Sequence, residues 1–248
     1  MSYVDLKHAL ADLTLEAVAN PEGARWVPLL FECAQNPNMT SEGIEWGTLR
    51  KAAAQLGENF GWEVSERELQ YLERAHLLAR HDHHVAVAAR FQPHREYMAR
   101  QTLALLSFLS IYIYHREPPL PTMPRSLWQG VLLFNNGLYF ECHELLETAW
   151  KQTAGSEKNF LHGLVQLAAA FYHHEKPNPH GFRTLLGKAS RRLDPYPSPY
   201  MGIELTRLRR SMTRWKEFLA TDGGEKAPPI PVIAVAAAGV DNKGTPRG

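Results

Sequence analysis

The sequence is poor in cysteine. Cys33 and Cys142 stand far apart in a chain of 248 residues. Two such thiols supply neither a disulfide framework nor the paired spacing of a zinc site. Long apolar runs are missing too. None approaches the roughly 20 residues that cross a bilayer, and "MSYVDLKHAL" at the N-terminus has no signal-peptide apolar core. These absences predict a protein of the reducing cytoplasm with no membrane partner. Strand signals are scarce, since only "HVAVAAR" at 84–90 has the β-branched pattern, and no internal repeat is visible. An excess of charge of one sign is also absent, with a net charge of +1.

Hydrophobic residues make up 44% and charged residues 21%, enough for a packed core. The small net charge conceals an asymmetry. Residues 1–124 hold 11 Lys/Arg against 15 Asp/Glu, and residues 125–220 hold 13 against 8. Almost everything else reads as helix. Leu6, Leu10, Leu13 and Ala17 mark a first amphipathic helix that "NPEG" stops. "ARWVPLLFECAQ", the polar break "NPNMTSEG" and "IEWGTLRKAAAQLG" follow. Ser65 and Glu68 form a capping box for "ERELQYLERAHLLAR", and Pro93 opens a long helix through Tyr114.

Four prolines in "PPLPTMP" at 118–124 coincide with the change of charge, so a semi-rigid linker is expected there. Helices at about 125–135, 138–152, 157–174, 179–193 and 202–219 come next, with Gly137, Gly155, Pro177 and "DPYPSP" as stops. The fold class expected is all-α. A helical, winged-helix-like domain at 1–117 with a small β wing precedes the 118–124 linker. A helical bundle with a central antiparallel hairpin occupies 125–220, and 221–248 is a flexible tail. The first domain suggests DNA binding, with 65–80 as the recognition helix. That helix, however, balances Glu66, Glu68 and Glu73 against Arg67, Arg74 and Arg80 inside a net-negative segment. Phosphate contacts need a basic face, so nucleic acid is the disfavoured partner.

The stretch "FECHELLETAW" at 140–150 carries the densest chemistry. On a helical wheel Leu138, Cys142, Leu145, Leu146 and Ala149 share the core arc. Tyr139, His143 and Trp150 lie along its edge with Glu147 just beyond, while Glu141 and Glu144 point elsewhere. In "FLHGLVQLAAAFYHHEK" the apolar residues surround most of the circumference, which marks a buried helix. His162, Gln166 and His173 nevertheless form a polar stripe on it. A buried polar group left unpaired costs about 1–3 kcal/mol, so the stripe needs partners. A short connection makes the two helices antiparallel and sets His143 and Glu147 opposite the stripe.

The same residues carry a resemblance. "FNNGLYFECHELLETAW" followed by "FLHGLVQLAAAFYHHEKPNPHGFRTLLGKASRRL" resembles the domain-of-unknown-function 309 family over about 125–195. The order and spacing of Phe140, Glu141, His143, Glu144, Glu147, Trp150, Gly163, Gln166 and His173 agree with the family pattern. Two positions depart from it: His162 stands where the family has glutamine, and Pro177-Asn178 replaces a Gly-Asn pair. The resemblance implies a compact helical bundle and no assigned reaction.

Two readings of the cluster compete. One is a satisfied polar network that holds the hairpin in register. The other is a site. The function expected is a non-catalytic helical protein in which Tyr139, His143, Glu147, Trp150, His162, Gln166 and His173 bind a small polar ligand or a macromolecular partner. No metal is assigned and the residues name no cofactor. The alternative is a zinc- or iron-dependent enzyme using His143, Glu147, His162 and His173, suitable ligand types with an i, i+4 pair among them. No serine or threonine nucleophile stands beside them, and Cys142 faces the core. A further alternative is a nucleic-acid-associated regulator acting through the N-terminal domain. "HDHH" at 81–84 is expected to be a solvated turn, and Arg207, Arg209, Arg210, Arg214 and Lys216 the wet side of an amphipathic helix.

Overall fold

A computed structural model describes residues 2–37, 42–221 and 226–237. The break expected at 36–43 therefore lies partly outside the described residues, as does the end of the expected tail. The chain divides into two compact units, Met1–Tyr114 and His115–Gly248. Among the described residues there are ten α-helices and one three-stranded sheet. The fold is helical, with a small β element confined to the first unit.

In the first unit, α1 (Ser2–Ala19) leads through a 3₁₀ turn, Pro21–Trp26, into α2 (Val27–Gln35). Strand β1 (Ile44–Glu45), α3 (Trp46–Glu58) and α4 (Glu66–Arg74) follow, then the hairpin β2 (Leu78–His81) and β3 (His84–Val87). A second 3₁₀ turn, Ala89–His94, leads into α5 (Arg95–Tyr112). The helix starts obey local chemistry. Glu45 accepts hydrogen bonds from the Gly47 and Thr48 amides. Ser65 and Glu68 form the capping box expected from their spacing. Strand β3 lies between β1 and β2, antiparallel to both, with Leu78 paired to Val87 and His81 to His84. Packing of α2 against α3 and α5 buries Leu29, Leu30 and Cys33 completely.

Two helical expectations end early here. The segment 65–80 is helix only to Arg74, because His76 adopts a left-handed φ of 56° and turns the chain into β2. The strand expected over 84–90 ends at Val87 and gains β2 as a partner. His81, Asp82, His83 and His84 are exposed at the hairpin turn, with Asp82 at φ 53°.

The second unit contains α6 (Arg125–Asn135), α7 (Tyr139–Gln152), α8 (Gly155–Glu175), α9 (Pro179–Leu193) and α10 (Leu205–Ala220). Gly137 and Gly155 stand at φ of 80° and 67°, in the left-handed region that L side chains avoid, and they set the two turns around α7. Helix α8 is the centre. It packs against α7 on one side and α9 on the other, and its Phe160, Leu167, Ala168 and Phe171 are completely buried. Rings of Phe134, Tyr139, Phe171, Phe182 and Trp215 interlock edge-on or tilted, at centroid distances of 5.2–5.8 Å.

The segments expected to be a semi-rigid linker and a flexible tail are both anchored on this unit. In the proline-rich stretch, Leu120 and Met123 are buried, and both stand within 3.1 Å of where a Cβ on Gly202 would lie. Proline forbids helix but not burial, so 118–124 is part of the second unit. The expected tail runs back across the bundle. Asn135 clamps Ile233 twice, through Nδ2 to its carbonyl at 3.0 Å and through Oδ1 from its amide at 2.9 Å. The Glu204 amide donates to the Ala234 carbonyl, and the Trp215 indole N–H donates to Pro229 at 3.0 Å. Ile233 and Ala236 are buried.

Candidate functional site

Helices α7 and α8 run antiparallel, as the short connection requires. Phe140 meets Tyr172 near one end, with ring centroids 5.3 Å apart, and Trp150 meets His162 at the other, at 4.4 Å. This register splits the seven residues expected to share one site. Trp150, His162, Gln166 and Glu147 gather at the end where α7 finishes and α8 begins. Tyr139 and His173 lie at the opposite end, since His162 and His173 are separated by eleven residues of continuous helix, about 16 Å along the axis.

At the first end the polar stripe is satisfied by a residue of a third helix. Gln166 is buried on α8; its Nε2 donates to His162 Nε2 at 3.2 Å, and its Oε1 accepts from Arg192 Nε of α9 at 3.1 Å. The same guanidinium reaches Asn159. Burial, and next the Arg192 charge, push the His162 pKa below the usual histidine value. A neutral ring fits the bonding, because Nε2 must accept from Gln166. Trp150 covers the other side of His162, and Lys158 lies 5.8 Å from the indole ring.

Glu147 stands at the rim. It pairs with Lys151 at 2.9 Å, one turn along α7, and this bond more than any other holds its carboxyl below the usual range. Protonation of His143 or His162 would act on it in the same direction. His143 donates through Nδ1 to Glu144 at 3.2 Å. The expected pairing of His143 and Glu147 with the stripe on α8 is thus replaced by two local pairs, His143 with Glu144 and Glu147 with Lys151.

The remaining residues make their contacts within the bundle. His173 accepts from Asn178 Nδ2 at 2.9 Å, and Asn178 also caps α9, so this pair closes the α8–α9 turn. Tyr139 packs between Phe134 and Phe171, and burial, followed by the charge of Glu175, pushes its hydroxyl up to about 12. The four-ligand set His143, Glu147, His162 and His173 is not assembled, and among the described residues no three His, Cys, Asp or Glu side chains come together to hold a metal. Cys142 donates to the Gly130 carbonyl at 3.3 Å, and burial pushes its thiol pKa up.

Two residues escaped the sequence. Glu141, placed outside the core arc, is only 2% exposed, and its charge reaches Cys142 and Tyr172. Arg192 completes the Gln166 network from 26 positions away, and no helical periodicity on α8 reports a partner at that range.

Residues 127–185 match the family described as Domain of unknown function (DUF309). Every site residue expected from the sequence lies inside that segment, and Arg192 lies beyond it. YpuF, an uncharacterized protein of Bacillus subtilis (strain 168), is 43% identical over 54 residues, which are 21% of this chain. The match spans 31% of that relative, about a third of its length. Over residues 127–185 of its second unit, the chain is thus similar to the DUF309 family.

Proposed function

We propose that this protein is non-catalytic and that its second unit binds a small polar ligand or a macromolecular partner on the ledge made by Glu147, Trp150, His162 and Arg192. The observation that carries the reading is the half-exposed Trp150 packed tilted against a neutral His162, with ring centroids 4.4 Å apart. Tryptophan and arginine dominate the binding energy of recognition surfaces, because each offers a large rigid face together with polar edges. Here the ring is braced from behind by His162 and the buried Gln166, so it is held in place before any ligand arrives. Charges of both signs, Glu147 and Lys158, flank it.

Stability measurements separate a binding ledge from a strut. Gln166→Ala should cost about 1–3 kcal/mol, because it leaves His162 and Arg192 without their shared partner. Glu147→Ala removes only a rim charge paired to an exposed lysine and should fall within about 0.5 kcal/mol of wild type. Denaturant midpoints that rank Glu147→Ala as the costlier change would make the rim structural. The rival class, a metal-dependent enzyme, is tested by metal analysis of the purified protein: stoichiometric zinc or iron, lost in His143→Ala, would establish it in place of the binding reading.

The first unit favours a second reading. The succession α2, β1, α3, α4, β2, β3 with sheet order β1-β3-β2 is compatible with a winged-helix-like domain. This supports a macromolecule-binding role for that unit. Its α4 spends Glu66 and Glu73 on Arg80, so the helix presents no uniformly basic face.

A further inference from the structure

A second site lies wholly within the first unit. A cleft of about 450 Å³ opens between the end of α1, the 3₁₀ turn Pro21–Trp26 and α4. Ligand pockets start at about 300 Å³, so it has room for a small molecule. Its floor is the buried Trp26, stacked against Tyr71 at 6.3 Å. Arg67, Tyr71 and Arg74 occupy one face of α4 at i, i+4 and i+7, and Arg25 and Glu22 line the cleft from the 3₁₀ turn.

The charged groups here are unequally engaged. Glu68 is committed to the capping box, and Glu16 accepts the Tyr71 hydroxyl at 2.9 Å. That bond and, above all, burial push the Tyr71 hydroxyl up to about 12, so it remains a neutral donor. Three carboxylates line the same cleft, yet neither Arg67 nor Arg74 forms a side-chain ion pair among the described residues. The two arginines are separated by about 10 Å along the helix, two turns apart on one face. Guanidinium forks at that separation can close on one dianionic group from both sides.

We propose that the cleft binds a small phosphate monoester. Its phosphate sits over Tyr71 between Arg67 and Arg74, with Arg25 across from it, and its hydroxyl or amine groups face Glu16 and Glu22. The carboxylates decide against a nucleic acid, whose continuous backbone would have to pass over them. Arg67, Tyr71 and Arg74 share this face of α4. The cleft makes it one wall of a small-molecule site, and the proposal stands independently of the ledge in the second unit.

Titration calorimetry on the full chain tests it, with glucose 6-phosphate and inorganic phosphate as probes and glucose, citrate and a short DNA duplex as comparators. Glucose 6-phosphate should bind, inorganic phosphate should compete with it, and glucose alone should bind at least about tenfold more weakly. Arg67→Gln and Arg74→Gln, both exposed substitutions checked by circular dichroism, should each weaken binding about tenfold or more, and Arg207→Gln, on the exposed side of α10, should leave it unchanged. Amide shift mapping on the wild-type chain gives a reading that needs no variant, and the changes should centre on residues 67–74. No heat with either phosphate probe, undiminished affinity in the Arg67→Gln/Arg74→Gln double variant, shift changes elsewhere, or tighter binding of citrate or the duplex would each overturn it.

Discussion

Gln166 shows how a single side chain can be read correctly and its setting missed. Its place in a polar stripe on an apolar helix was legible, because the 3.6-residue period puts it beside His162, to which it is in fact bonded. The partner on its oxygen, Arg192, was not, since pairing with another helix 26 positions away leaves no local trace. Glu141 failed for a related reason. The wheel assumes one buried arc, but α7 packs against both α6 and α8, and a second arc carries Glu141 inside. The network makes a pH prediction. Burial and Arg192 hold the folded His162 pKa below its ordinary value of 6.5. The unfolded chain therefore takes up this proton first, and stability falls as pH drops from about 6.5 through the folded value and is level above. His174, shifted the same way by burial, adds to the slope. Midpoints measured from pH 7.5 downward should decline less steeply in His162→Gln than in wild type. Equal slopes would mean that His162 does not titrate against this network.

Helix contacts rest on glycines at two crossings. A Cβ on Gly163 would stand 2.8 Å from Leu193 Cδ2 and 2.9 Å from its Cγ, and one on Gly130 would stand 2.6 Å from Leu146 Cδ2. Helices α8 and α9 approach this closely only because position 163 has no side chain. Gly163→Ala, though it raises helix propensity, should destabilise the second unit by about 1–3 kcal/mol through overpacking. A thermal midpoint equal to or above wild type would show that Leu193 can move aside freely. Helix spans in this unit were legible to within a few residues, because apolar periodicity and glycine stops agree. In the first unit, α4 ran too long in the sequence reading. "LERAHLLAR" continues the helical period, and the turn at His76 uses a left-handed residue with no glycine to announce it.

At the scale of the whole molecule, proline- and alanine-rich stretches misled. Composition marks 118–124 and 221–248 as unable to form regular structure, but it says nothing about side chains that can dock without it. Leu120, Met123 and Ile233 do so. Deleting residues from 226 onward removes the buried Ile233 and leaves the Trp215 indole N–H and the Asn135 amide without their partners. It should cost the second unit about 2–4 kcal/mol, where a flexible tail would cost nothing. No described helix is long and apolar enough to cross a membrane. The central claim is that the Trp150–His162 ledge is a binding site. Native mass spectrometry of the protein purified under gentle, low-salt conditions tests it most directly. The account predicts a non-covalent excess over the denatured mass that is retained in Glu144→Ala and lost in both Trp150→Ala and His162→Ala. A bare mass in wild type, or an excess that persists in both ledge variants, would contradict it.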